Sequence, residues 1–198
     1  MRRIPSLDYI KFFSDALGDE AAANHLYERA QAASDPIAKI ILHQTARLLT
    51  LADWMDEAAP ARPALKVFFF VVLAEAVAKL AFGFSGEGES RRHVHRFFEE
   101  LCARPDRDRL GRAFRRVSGA PHPLLTPEEA VNILYDVRND VAHRGEYFTF
   151  NLLEPGCVGT VFHHKSGGLQ AQISVPDLRA LVVRGAVAAA ERLLGAGP

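Results

Sequence analysis

The apolar positions of this chain recur mostly at spacings of three and four residues, as they do in amphipathic helices. Breaks rich in glycine, proline and serine separate them into segments of helical length. The segment at 65–84 is apolar on nearly all sides, and its interior holds only two charges, Glu75 and Lys79. Charges at that depth are costly in a bilayer, so a helix buried in a protein core is favoured over a membrane span. The pattern predicts an all-α fold, an antiparallel bundle of about six helices.

The clearest boundary signals lie in the last third of the chain. Thr126 and Glu129 are the ends of a T-P-x-E capping box, which predicts a helix that runs to residue 143 or 144 and ends at Gly145. Beyond it, two short stretches of alternating apolar and polar residues flank a turn at 166–168, which predicts a small β-hairpin. A closing helix follows, with Pro176 in its first turn.

Composition limits the class of protein. A chain of 198 residues suits one well-cored domain, and 48% hydrophobic with 24% charged residues is typical of a globular protein. The formal net charge is zero, so binding to nucleic acid or to a membrane would need a local patch. Cys102 and Cys157 form neither a disulfide framework nor a zinc signature, and the N-terminus has no apolar leader. We therefore expect a cytoplasmic protein with no membrane association.

Polar residues cluster on the helix that begins after Thr126. At about 100° per residue, one stripe is apolar and the opposite stripe is polar. The apolar stripe consists of Ala130, Leu134, Val137 and Val141. The polar stripe consists of Asn132, Asp136, Asn139 and His143. Arg138 leaves the helix about 140° from His143, so one helix does not aim both at one phosphate, whereas two copies around a two-fold axis can. On the residue pattern alone, a solvated helix face explains the polar stripe equally well.

The stretch RNDVAH, residues 138–143, resembles the R-[polar]-x-x-x-H motif of HEPN-domain proteins. This all-α superfamily contains RNases and RNA-binding modules, among them toxins of toxin–antitoxin pairs and CRISPR-associated effectors. Some HEPN toxins also carry an upstream E-x-x-x-K, which Glu75 and Lys79 supply here. The resemblance covers a core at about 65–195, within a single domain over 1–198 whose N-terminal helices occupy 1–60.

The resemblance implies a metal-independent endoribonuclease that cleaves single-stranded RNA as a homodimer, without a cofactor. His143 would act as general base on the ribose 2′-OH or as acid toward the 5′-oxygen. Arg138 would hold the scissile phosphate, and Asn139 would orient either His143 or the phosphate. Glu75 and Lys79 would support the site from the neighbouring helix. Alternatively, these two residues form only an i, i+4 salt bridge that satisfies a buried pair.

Other functions fit the same residues. The runner-up is a non-catalytic HEPN module that binds RNA, a nucleotide or a partner protein, and a third alternative is a helical scaffold. The resemblance also suggests a toxin or a defence effector with an antitoxin or nucleotidyltransferase partner. In toxins silenced by nucleotidyltransferases, a tyrosine two residues after the histidine is modified. Here that position is Gly145 and the tyrosine is Tyr147, so the chain departs from the pattern.

Two weaker candidates remain. The arginines between 91 and 116 either contact phosphates or belong to a solvated surface, because acidic residues are interspersed among them. His93 and His95 form an HxH pair, but helical geometry points them apart and no third ligand is evident, so we expect no metal site. His163 and His164 adjoin on the predicted hairpin, where neighbouring side chains face opposite ways.

Overall fold

The computed structural model describes residues 7–117, 125–165 and 167–195. Eight α-helices and three β-strands lie within these ranges. The helices are α1 (Tyr9–Leu17), α2 (Glu20–Ala32), α3 (Ile37–Ala58), α4 (Pro63–Ala81), α5 (Ser90–Arg96), α6 (Arg104–Gly111), α7 (Pro127–Arg144) and α8 (Val175–Gly195). The strands are β1 (Phe114–Arg116), β2 (Thr160–His164) and β3 (Gly167–Ala171). The chain is mainly helical, as predicted, although its helices outnumber the six expected.

Helix α4 lies at the centre of the bundle. It packs against α3, α7 and α8, which explains why apolar residues occur all around it. No helix within the described residues is long and apolar enough to cross a membrane. The apolar character of α4 therefore reflects burial among neighbouring helices.

Close packing between α8 and the end of α5 depends on one glycine. Helix α5 continues into a π-helical turn, Phe97–Leu101, whose first residue is fully buried. A Cβ atom at Gly185 would lie 2.6 Å from the Phe97 ring and 2.9 Å from the Cys102 sulfur. Only glycine permits this approach without displacing an aromatic side chain.

Both ends of α7 are confirmed. The Glu129 amide donates to the Thr126 hydroxyl at 3.1 Å, and the Thr126 amide donates to the Glu129 carboxylate at 2.8 Å, completing the capping box. At the other end, Gly145 adopts the left-handed conformation with φ 66°. Contacts within a few residues thus determine where α7 begins and ends.

The predicted hairpin belongs to a larger sheet. Strands β2 and β3 pair antiparallel, and β1 pairs with the other edge of β3, so the strand order is β1-β3-β2. The strand at Phe114–Arg116 was not predicted, because the arginine-rich segment around it indicated only a short helix. Phe114 is fully buried and its ring packs against Phe162 of β2, which joins the two outer strands of the sheet. Ser166, in the predicted turn, lies outside the described residues.

Candidate functional site

The two interior charges of α4 lie beside α7, as expected. The Glu75 carboxylate is 3.5 Å from the Arg138 guanidinium, measured from Oε2 to Nη2. Its other oxygen is 2.7 Å from the Lys79 ammonium and accepts a hydrogen bond of 2.7 Å from the Ser90 hydroxyl. The i, i+4 salt bridge and the approach to Arg138 are therefore both present. Ser90, at the start of α5, was not singled out from the sequence.

The environment of Glu75 keeps its carboxylate charged. Burial alone would raise its pKa, since only 12% of the side chain is exposed. Hydrogen bonds from Lys79 and Ser90, together with the charges of Lys79 and Arg138, outweigh burial and lower the pKa below its usual value. Glu75 is thus a fixed anion behind Arg138, which suits a positioning residue better than a proton carrier.

Arg138 is held from two sides while part of it stays accessible. Its Nη1 donates to the Asn139 side-chain oxygen at 3.0 Å, and its Nη2 faces Glu75. The guanidinium carbon lies 5.8 Å from the centre of the Tyr135 ring, within cation–π range. The side chain remains 21% exposed. A guanidinium held in this way is ready to receive an anion with little loss of rotamer entropy.

His143 stands apart from this cluster. It is exposed on the last turn of α7. Among the described residues, no hydrogen bond joins it to Asn139, whose side-chain oxygen is occupied by Arg138 instead. The expectation that Asn139 orients His143 therefore finds no contact within one chain. Arg138 and His143 leave α7 about 140° apart, since they are five residues apart on one helix.

Asp136 bears on one alternative left open for the polar stripe of α7, that of a solvated helix face, because Asp136 is buried. Its side chain is only 8% exposed. One of its oxygens is 3.2 Å from Arg91 Nη2, and the other is 2.8 Å from Lys165 Nζ and 3.5 Å from His164 Nε2. Helix α5 and the β2–β3 hairpin bring these partners over α7. The sequence pattern of one helix contains no signal of such a cover.

Arg91 links Asp136 to a second part of the same face. Its Nη1 donates to the Asn132 oxygen at 3.3 Å, and that oxygen is also 3.1 Å from His95 Nε2. The Arg91 guanidinium carbon lies 4.9 Å from the centre of the Tyr135 ring, which Arg138 also approaches. Two arginines from different helices thus share one aromatic ring.

Four of the other eight arginines between 91 and 116 favour the solvated-surface interpretation. They pair with nearby acidic residues at ordinary salt-bridge distances. These pairs are Arg92–Glu89 at 3.0 Å, Arg96–Glu100 at 2.8 Å, Arg109–Asp177 at 2.7 Å and Arg116–Glu129 at 3.1 Å. Arg91 differs from them because its carboxylate partner is buried.

The HxH pair points apart, as expected. His95 faces Asn132, whereas His93 is buried against the Phe84 ring, with ring centres 4.4 Å apart. Within the described residues, neither ring nitrogen of His93 has a hydrogen-bond partner. Burial, and then the charge of Lys79, lower the pKa of His93 below its ordinary value. No group of three residues suited to a metal occurs in the described ranges.

The segment after α7 places Tyr147 beside an exposed aromatic residue. Tyr147 is half-buried, and its ring centre lies 4.2 Å from that of Phe148. Arg62, which precedes α4, lies over Phe148 at 5.3 Å. The end of α7 therefore carries an aromatic surface next to His143.

Comparison of the chain with models of protein families, with curated proteins and with solved structures found no significant match. The resemblance to HEPN proteins therefore rests on residues 138–143 with Glu75 and Lys79, together with the helical fold.

Proposed function

We propose that this protein is a HEPN-type endoribonuclease that cleaves single-stranded RNA without a metal ion. The observation that supports this most directly is the arrangement of Arg138, which a buried Glu75 carboxylate and Asn139 hold in place while 21% of its side chain stays exposed. Such a guanidinium suits a phosphodiester, because its fork of donors matches two phosphate oxygens.

The proposed reaction is an internal transesterification. One His143 takes the proton of a ribose 2′-OH, whose oxygen attacks the adjacent phosphorus. The bond from phosphorus to the 5′-oxygen breaks, and the His143 of a second copy protonates that oxygen. The products are a 2′,3′-cyclic phosphate and a 5′-hydroxyl. Arg138 stabilises the extra negative charge of the pentacoordinate intermediate.

A homodimer supplies what one chain does not assemble. His143 is exposed at the end of α7, and Phe148, which follows closely, is exposed as well. Pairing two such ends around a two-fold axis would cover the aromatic surface and bring both His143 side chains toward the Arg138 residues. We expect α7 to contribute to this interface, so light scattering at micromolar concentration should give twice the mass of the chain. A monomer under these conditions would contradict the two-copy site.

Cleavage in EDTA tests the chemistry. Labelled single-stranded RNA should be cut, whereas DNA of the same sequence should stay intact because it lacks the 2′-OH nucleophile. His143→Ala should lower the rate by about 10² to 10⁴, and Arg138→Gln should lower it comparably. Arg144→Gln is the matched control. It removes a neighbouring exposed charge that pairs with Asp140 at 3.5 Å, so it should cleave at close to the parent rate.

The mechanism would be wrong if cleavage survived in His143→Ala or required Mg²⁺. The second candidate is a non-catalytic module that binds RNA, a nucleotide or a partner protein through the same face. Within the described residues, the lack of a hydrogen bond between His143 and Asn139 favours this candidate. A folded dimer that binds RNA and cleaves none would select it. A toxin or defence role in the cytoplasm, opposed by an antitoxin or nucleotidyltransferase, would follow from the first candidate.

A further inference from the structure

Two buried carboxylates of this protein each contact a pair of cations, and one arginine of each pair lies near the Tyr135 ring of α7. Glu75 contacts Lys79 and Arg138, while Asp136 contacts Arg91 and Lys165. In the second group the carboxylate is 8% exposed, whereas Arg91 is 53% and Lys165 is 66% exposed. The negative charge therefore lies inside and the positive charges lie outside. A ligand that approaches from solvent therefore contacts Arg91 and Lys165 before it reaches Asp136.

We infer that Arg91 and Lys165, positioned by Asp136, form a second phosphate-binding subsite for the RNA strand whose scissile phosphate lies at Arg138. This inference rests on the proposed function for its ligand and adds residues that the motif does not contain. Each cation keeps donors that its carboxylate does not use, since an ammonium has three and a guanidinium has five. Those donors are available to phosphate oxygens.

The spacing of the two subsites suits one strand. The Arg91 and Arg138 guanidinium carbons lie 4.9 and 5.8 Å from the centre of the same Tyr135 ring, so they are within about 11 Å of each other. Two neighbouring phosphates of a single strand fit within this upper limit on the distance between the two guanidinium carbons. Tyr135 acts here as a common support for the two arginines, because cation–π contacts restrain both guanidiniums.

Local charge favours a polyanion although the whole chain is neutral. The two groups together contain two carboxylates and four cations, which are Lys79, Arg91, Arg138 and Lys165. They therefore carry an excess of two positive charges. An open cleft of about 660 Å³ also borders Arg91. Besides Arg91 and Arg92, its lining includes three acidic residues, Glu89, Glu99 and Glu128. These would repel phosphates, so the strand is expected to follow the Tyr135 side.

The salt dependence of binding provides the test. Each phosphate contact in single-stranded nucleic acid contributes about 0.7 to the slope of log K against log salt concentration. We would measure fluorescence anisotropy of a fluorescein-labelled ten-residue oligouridylate in EDTA, with His143→Ala as the parent so that no cleavage interferes. Arg91→Gln should lower the slope by about 0.7 and weaken binding roughly fivefold at 0.1 M salt. Lys165→Gln should act in the same direction.

Arg92→Gln is the matched control. Arg92 neighbours Arg91 on α5 and is more exposed, but it pairs with Glu89 rather than with a buried carboxylate. Its loss should leave the slope unchanged, and thermal melting should confirm that all three variants are folded. Equal slopes for Arg91→Gln and Arg92→Gln, or no binding of the oligonucleotide by the parent, would overturn the inference. So would polyglutamate that competes with equal strength, since it would indicate an acidic protein partner.

Failure of the proposed reaction remains distinguishable from failure of this subsite. The binding assay uses the His143→Ala variant, so its result does not depend on whether the protein cleaves RNA. An Arg91-dependent slope in a protein that never cleaves RNA would support the subsite and reject the nuclease. Cleavage that persists with an Arg91-independent slope would do the opposite.

Discussion

Glu75 and Asp136 perform the same electrostatic task in different structural settings. Glu75 takes its closest cation from its own helix, where Lys79 is 2.7 Å away at i, i+4. Asp136 takes its cations from α5 and from the end of the β2–β3 hairpin, so its contacts join segments distant in sequence. Glu75 therefore has one partner on its own helix besides Ser90 and Arg138, whereas the partners of Asp136 described above all come from other elements.

The difference suggests separate roles on one face. The surroundings of Glu75 are pre-formed and partly enclosed, which suits holding Arg138 still during a reaction. The cations around Asp136 are more exposed, and one of them, Lys165, lies in the hairpin turn, which suits a site that must bind and release an RNA strand. If this division is correct, changes at the two carboxylates should affect different steps.

The largest effect should appear in the kinetics of RNA cleavage. Glu75→Gln keeps the shape of the side chain but removes the charge that holds Arg138, and we expect kcat to fall at least about tenfold. Asp136→Asn should act mainly by raising KM, because it loosens Arg91 and Lys165. Glu57→Gln, at an exposed position of α3, is the control for loss of a single acid. Equal changes in kcat for the two site variants would remove the proposed division.

A smaller effect should appear in the free energy of unfolding, measured with urea. Glu75→Gln should cost about 2 kcal/mol, since charge-assisted hydrogen bonds from Lys79 and Ser90 are weakened in a buried site. Asp136→Asn should cost about 1 kcal/mol, because Arg91 and Lys165 are largely exposed and recover hydration. A larger loss for Asp136→Asn would indicate that its links between distant elements outweigh exposure.

The smallest effect concerns pH and separates these carboxylates from His93. Because burial lowers the pKa of His93 in the folded chain, the unfolded chain takes up a proton first as pH falls through 6.5, the ordinary histidine value. The contribution to stability is present above that pH and is lost below it, whereas that of Glu75 is lost only below about 4.5.

His93→Leu should therefore flatten the dependence of unfolding free energy on pH between 7.5 and 5.5, by less than about 1 kcal/mol. His43 and His164, whose pKa values burial also lowers, should account for a remaining slope. Replacement of the exposed His25 by leucine is the control for loss of a single histidine. Parallel curves for the parent and His93→Leu would show that His93 does not contribute in this range.

The sequence predicted features whose causes are local. The capping box at Thr126 and the glycine at 145 determine the ends of α7 through contacts within a few residues. The position of Glu75 also followed from a local conflict, because a charged pair in an apolar helix needs a polar partner where the helix is buried. Arg138 of α7, which packs against α4, is that partner.

Features that depend on distant segments were not predicted. Strand β1 pairs with β3, more than fifty positions later, and its Phe-Arg-Arg sequence has no alternating pattern long enough to indicate a strand. Asp136 lies on the polar stripe by helical geometry, yet Arg91 and Lys165 cover it from other elements. Periodicity shows which side of a helix is polar, but it does not show what that side contacts.

The contact between α8 and the end of α5 also makes the two thiols of this protein differ in their accessibility to reagents. Cys157 is exposed, whereas Cys102 is buried where α8 passes at Gly185. Burial, followed by the charge of Asp106, raises the pKa of Cys102 to about 12, so it is almost entirely an unreactive thiol at neutral pH. Maleimide dyes would therefore label Cys157 at once without engineering. The slow appearance of a second label would then time how often α8 and the π-helical turn separate.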